Sequence, residues 1–203
     1  MIAIAGGSGA GKSALAHQLC VHLDKGARIF ELDNYYNSLS HLPPDARAVY
    51  NFDAPEALEY DLLAYHLRMI AAGSPADVPQ YDFTTHTRRN ATLRFVPADY
   101  VIVDGLHGLN WEKLRALFTL KVFIEAPHEV CLMRRIERDM RERGRSEVSV
   151  RQQYEQTVRP MYDRYVAPTR NHADLVLDGT RPLEELVMMV KRKLTSGTEV
   201  KKK

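Results

Sequence analysis

A lysine and a hydroxyl set behind a run of small residues, Gly6-Gly7-Ser8-Gly9-Ala10-Gly11-Lys12-Ser13, give this chain its clearest chemical signature. The run fits G-x-x-x-x-G-K-[ST]. In that pattern backbone N–H groups turn inward to cradle a polyphosphate, the lysine reaches the β- and γ-phosphates, and the hydroxyl is placed to ligate magnesium. Glycines permit the turn because no Cβ blocks it, and the following helix adds the positive end of its dipole. Two aspartates come next. Asp104 closes the apolar run Val101-Ile102-Val103, where a phosphate-loop protein places the carboxylate of the magnesium shell, direct or through water; an N-cap or turn aspartate is the plainer alternative. Asp33, heading Asp33-Asn34-Tyr35-Tyr36, would face the γ-phosphate, where like charge is costly unless a cation or an incoming hydroxyl offsets it. A general base for an attacking alcohol, sharing in the metal shell, meets that condition; a helix cap is the alternative.

Six arginines, Arg134, Arg135, Arg138, Arg141, Arg143 and Arg145, crowd one short stretch against Glu137, Asp139 and Glu142. Helical spacing puts Arg134, Arg138, Arg141 and Arg145 on one face. Such a run reads as a solvated, salt-bridged helix or a nucleic-acid patch. It also reads as a lid, since phosphoryl transfer needs cations on the transferring oxygens and exclusion of water. Gly144 offers a hinge for that lid.

The elements that must position these groups follow from periodicity. Short apolar runs predict strands at Ile2 to Ala5, Arg28 to Leu32, Tyr100 to Asp104, Leu120 to Glu125 and Leu175 to Leu177. Helical patterns fall between them, at Ser13 to Lys25, Pro55 to Ala72, Trp111 to Leu117, His128 to Arg143, Ser149 to Tyr165 and Pro182 to Leu194. The alternation predicts an α/β, doubly wound parallel sheet with ligands beyond the carboxyl ends of its strands. Val78 to Val96 breaks the alternation. Its ends alternate with period two around Arg88-Arg89-Asn90, which predicts an inserted β-hairpin about 78–96.

With 203 residues and 45% hydrophobic content, one domain over 1–194 is expected, with the lid about 134–150 and a frayed tail at 195–203. The 28 basic and 26 acidic residues nearly cancel, so no global field captures nucleic acid or an anionic membrane. Cys20 and Cys131 lack metal or redox spacing and read as reduced core thiols, which with the lack of a leader or membrane-length stretch points to the cytoplasm.

Further motifs carry a resemblance. Asp33-Asn34-Tyr35-Tyr36, Asn51-Phe52-Asp53-Ala54-Pro55, Pro79-Gln80-Tyr81-Asp82-Phe83 with His86 and Arg88, Arg138 to Arg145, Arg159-Pro160-Met161 and Ala173-Asp174 resemble the uridine/cytidine kinases, in order and over nearly the whole chain. That resemblance implies that Asp33 accepts the proton of a nucleoside 5′-hydroxyl, with Tyr36 near the same sugar. It implies that Asp53 grips the ribose hydroxyls, that Arg135 and Arg138 straddle sugar and phosphates, and that Arg143 and Arg145 close on ATP. The pyrimidine would lie among Phe52, Tyr81, Phe83, His86 and Gln153. The chain departs from the family at Asp104, where glutamate is usual, and at His107-Gly108, where relatives tend to be apolar; the likeness is patchy over Asn37 to Tyr50.

Aromatic faces stack on a flat base, and a histidine can hydrogen-bond its exocyclic group. Outside this context His86 reads as a surface histidine and Tyr81 and Phe83 as hairpin packing. The expected function is transfer of the γ-phosphoryl of ATP or GTP to uridine or cytidine, with Lys12, Asp33 and Arg138 catalytic and Mg2+ held near Ser13, Asp33 and Asp104. Family resemblance adds a homo-oligomer, dimer or tetramer. Alternatives are a kinase of another small alcohol, or a nucleotide-dependent regulator that binds phosphate or nucleic acid.

Overall fold

The computed structural model describes residues 1–23 and 26–199. Strand β1 (Ile2–Gly6) is buried along its whole length, as expected of a strand covered on both faces. It lies between β5 (Tyr100–Asp104) and β6 (Leu120–Glu125), with β2 (Ala27–Glu31) and β7 (Leu175–Asp178) outside them. All of these pairs are parallel, in the order β2-β5-β1-β6-β7. Register aligns the carboxyl ends: Ile4 and Glu31 both pair with Asp104, and Gly6 pairs with Ile124. The chain therefore leaves the strands toward one edge, where a sheet that winds both ways opens a crevice.

Alternation along β1 separates two cores. Ala3 and Ala5 face a cluster with Phe30, Tyr35, Leu63, Leu67 and Phe123; Ile2 and Ile4 face one with Leu15, Leu19, Ile102, Leu177 and Val187. The first is covered by helix α3 (Tyr60–Ala71) and the hairpin β3 (Ala76–Asp82) and β4 (Thr87–Phe95), the second by α1 (Lys12–His22) and α8 (Leu183–Glu199). Short helices α2 (Pro44–Ala48) and α4 (Glu112–Arg115) fill connections. Helix α5 (His128–Arg143) ends at Gly144, whose φ of 61° is the left-handed conformation that glycine adopts freely. Residues 147–172 then run helically through α6 (Glu147–Gln153), π-helical turns at Tyr154–Val158 and Tyr162–Val166 around α7 (Arg159–Met161), and a 3-10 turn at Ala167–His172.

Several sequence expectations need correction. Pro55 to Ala72 is not one helix: Leu58 bridges to Tyr36 between a 3-10 turn and α3. The hairpin turns at residues 83–86, with His86 at φ 54°, whereas Arg88-Arg89-Asn90 lie within β4. Asp82 Oδ1 accepts the Thr84 and Thr85 N–H groups, so the turn is organised by an aspartate that strand alternation does not reveal. Helix α8 extends to Glu199, so the start of the expected frayed tail is helical; residues 200–203, and the end of the expected first helix at Lys25, lie outside the described residues. Among the described residues no helix is long and apolar enough to cross a membrane.

Candidate active site

The residues after β1 form a tight loop. Gly9 has φ +82°, and a Cβ there would sit 2.3 Å from Cys131 O; at Gly6, φ +142°, one would sit 2.0 Å from Ile124 O. Larger side chains would push the loop off α5 and β6. Arg134 reinforces the contact, donating to Gly9 O and Ala10 O at 3.4 Å and to Gly179 O at 3.0 Å. Tyr162, in the second π-helical turn, places its ring against Gly7.

Lys12 Nζ donates to Gly7 O at 2.9 Å, folding back over the loop. Burial lowers its pKa, opposed by the negative charges of Asp104 and Asp33. Ser13 Oγ donates to Asp104 Oδ2 at 2.6 Å, a length typical of a hydroxyl on an ionised carboxylate. Asp104 is not a helix cap; its Oδ1 is buried without a partner. A buried orphan oxygen beside a hydroxyl is the donor set a magnesium ion bound mainly through phosphates requires. No cluster of His, Cys, Asp and Glu among the described residues forms a cage by itself, so these residues fit magnesium only as partners of a bound nucleotide.

Asp33 sits in the 3-10 turn Leu32–Tyr35 that follows β2; the cap position is Glu31, with no side-chain cap bond. Its pKa is raised to about 6 by burial and by Asp104, against the pull of Lys12 and Arg143. Asp33 is thereby a carboxylate poised between protonation states near neutrality. Tyr36 is pushed well above its usual value by burial and by Asp33 and Asp53. Asp53 is buried, and its pKa is raised by that burial despite Arg135, Lys12 and Arg138. Each of these groups feels the charge of the others, as expected for acids and cations that share one neighbourhood.

The aromatic residues also converge. Phe52 stacks on His86, with centroids 4.9 Å apart and planes at 23°. Phe52 meets Tyr36 and Tyr81 edge-on, and Tyr81 meets Phe83 at 5.3 Å. Arg143 lies over the Phe83 ring at 5.2 Å, which joins the arginine segment to the hairpin. Burial, then Arg143 and Arg145, lower the His86 pKa, which keeps the imidazole neutral and able to donate or accept.

The expected single face of Arg134, Arg138, Arg141 and Arg145 does not form. Arg134 serves the phosphate loop, and Arg141 is exposed beside Glu142 and Glu137. Arg135, Arg138, Arg143 and Arg145 gather instead around Asp139. Arg135 also donates to Ser8 Oγ at 2.8 Å and to Gln153 Oε1 at 3.0 Å, and Arg145 shares that Gln153 oxygen.

Three residues named in the sequence without a role in the site contribute to it. His107 is buried and donates through Nε2 to Asp53 O at 3.0 Å; burial lowers its pKa to about 4, so it stays neutral. Arg88 holds the backbone carbonyls of Tyr35 and Tyr36 at 2.9 Å and pairs with Glu59. Asp139 is the third. Only Asp139 carried a readable signal, as the acid enclosed by arginines at helical spacings.

The profile of the family described as "PRK: Phosphoribulokinase / Uridine kinase family" matches residues 1–183. The uridine kinase of Lactobacillus helveticus is 38% identical over 198 residues, covering 97% of this chain and 94% of that protein. The uridine kinase of Streptococcus thermophilus is 37% identical over 204 aligned positions, covering 100% and 97%. Among solved structures, phosphoribulokinase from Rhodobacter spheroides superposes with a TM-score of 0.61 at 18% identity, covering 90% of this chain and 73% of that one. At that identity the likeness concerns the fold.

Proposed function

The chain belongs to the phosphoribulokinase / uridine kinase family, and from that premise we propose that it is a nucleoside kinase of pyrimidine salvage, transferring the γ-phosphoryl of ATP or GTP to the 5′-hydroxyl of uridine or cytidine. The observation that carries the reading is Asp33: a carboxylate with pKa raised to about 6 by burial and by Asp104, and held within the field of the phosphate-loop lysine Lys12 and of Arg143.

In this mechanism the loop N–H groups hold the triphosphate, and Lys12 exchanges Gly7 O for phosphate oxygens. Asp33 takes the proton of the 5′-hydroxyl as that oxygen attacks the γ-phosphorus, and the nucleoside diphosphate leaves. Ser13 and Asp104 would hold magnesium, with Asp33 sharing its shell; bound there, the ion neutralises charge on the phosphates. Arg138, Arg143 and Arg145 supply further positive charge to the transferring group. Asp53 and Tyr36 bind the ribose, with Arg135 between sugar and phosphates. Phe52, Tyr81, Phe83, His86 and Gln153 receive the base.

Free thiols at Cys20 and Cys131 support a reducing, cytoplasmic setting, and we extend the proposal to a single kinase domain that assembles as a homo-oligomer and takes no nucleic-acid partner. An activity matrix of nucleosides against ATP and GTP tests the central reading. Monophosphate formation from uridine or cytidine supports it; turnover only with a different small alcohol refutes it.

A further inference from the structure

Asp139 is 0% exposed. Arg138 grips its Oδ1 through Nε at 2.9 Å and Nη2 at 2.8 Å, and Arg143 Nη1 approaches the same oxygen at 3.6 Å. Arg135 Nε and Arg145 Nη1 flank Oδ2 at 3.6 and 3.5 Å. The Arg145 backbone N–H donates to Asp139 O at 3.2 Å, which turns the chain back on itself just past Gly144. Burial would raise the carboxyl pKa, but Arg138, Arg135 and Arg143 outweigh it and hold the group ionised.

A lone carboxylate cannot neutralise a cage of guanidiniums, so positive charge remains for a further anion. The same arginines reach outward to separate parts of the site. Arg135 bonds Ser8 in the phosphate loop, Arg135 and Arg145 share Gln153, and Arg143 covers Phe83 on the hairpin. Without a central anion these side chains would repel one another and sample many rotamers.

We propose that Asp139 is a positioning residue for phosphoryl transfer: an internal counter-anion that assembles Arg135, Arg138, Arg143 and Arg145 into a cage before the triphosphate arrives. The inference rests on the kinase reading of this site. Preassembly means that the nucleotide meets oriented donors and orders little on binding. Arg138, with two nitrogens on Asp139, exchanges at least one of them for a phosphate oxygen.

The test compares wild type, Asp139→Asn and Asp139→Glu. ATP affinity is measured by calorimetry without acceptor, kcat and KM with uridine, and melting temperature with and without inorganic phosphate. Asp139→Asn should weaken ATP binding and lower kcat by about 10–100-fold, the usual cost of losing a residue that orients ligating groups. Asp139→Glu should recover part of both. Phosphate should raise the melting temperature of Asp139→Asn more than that of wild type, because it replaces the missing anion. Unchanged ATP affinity and kcat in Asp139→Asn would overturn the proposal whatever its melting temperature. If that variant does not fold, Asp139→Glu decides: an altered kcat at an unchanged melting temperature supports positioning, and wild-type kinetics overturn it. Wild-type protein that binds ATP yet phosphorylates no nucleoside would instead defeat the kinase reading, and the calorimetry would still judge Asp139.

Discussion

Ser13 Oγ donates to Asp104 Oδ2 at 2.6 Å, joining the first turn of α1 to the end of β5 across 91 positions of sequence. The bond orients one oxygen of Asp104 and leaves the other buried and unpaired. Ser13→Ala and Asp104→Asn should therefore each reduce magnesium-dependent ATP affinity by about 10–100-fold. Affinity for ATP in the presence of a chelator should change little. Calorimetric titration with and without magnesium checks this; equal losses in both conditions would show that the pair merely shapes the loop.

As the proposed general base, Asp33 should give the rate an acid limb. With the carboxyl titrating about pH 6, kcat/KM should rise as pH increases through that value and then level off, because the base must be ionised to take a proton. Asp33→Asn should abolish that limb and lower turnover by about 100-fold or more, with ATP binding largely retained. Stability runs the other way. The folded pKa lies above the ordinary 3.8, so between about pH 4 and 6 the folded chain binds more protons than the unfolded one and loses stability as pH rises. At neutral pH Asp33→Asn should raise the melting temperature of the nucleotide-free protein. At about 1.4 kcal/mol per pKa unit the gain is bounded near 3 kcal/mol, and less where solvent reaches the group. A melting temperature that falls on this substitution would contradict the burial cost assigned to Asp33.

The sheet and the phosphate loop are legible in the sequence because each is local. β1 is an uninterrupted apolar run, β5 and β6 are apolar but for Lys121 and their closing acids, and the loop declares itself by glycine spacing. The bound of each strand falls within a residue or two of its periodic run. What the sequence hides is the meeting of residues that are distant along it. His107 lies under Asp53 because β5 ends beside the 51–57 segment, a tertiary fact without a periodic signature. Arg134 and Arg135 are neighbours in sequence, yet one serves the loop backbone and the other Ser8 and Asp139. Helical spacing groups Arg134 with Arg138, whereas the buried carboxylate selects Arg135, Arg138, Arg143 and Arg145. Charge pairing overrides the simple face here because Asp139 has no solvent to turn to.

His107→Leu isolates the hidden support. Leucine matches the apolar surroundings, including Trp111 edge-on at 6.1 Å, but it cannot donate to Asp53 O. Loss of one such bond costs about 1 kcal/mol, so KM for uridine should rise by about threefold to tenfold while KM for ATP holds. Because His107 titrates near 4, the effect should be the same at pH 6 and pH 8. An effect confined to the lower pH would mean that the imidazole carries charge in the working enzyme.

Phe52 and His86 make the last prediction. Their rings are already in contact at 4.9 Å, so a pyrimidine has no slot between them without opening the pair. On the proposed reading the base would stack instead on an outer face, toward Phe83, which is 38% exposed and capped by Arg143. Phe52→Ala removes the partner that holds His86 in its positive-φ turn as well as the stacking surface. An aromatic pair contributes about 0.5–1.5 kcal/mol beyond its buried area. KM for uridine should therefore rise by about twofold to tenfold, with KM for ATP nearly constant, and His86→Ala should reproduce much of that loss. The double variant should cost less than the sum of the two, because each ring acts through the other. Additive losses in steady-state kinetics would show that the two rings bind the nucleoside independently, and an unchanged KM for uridine would reduce the cluster to packing beneath the hairpin.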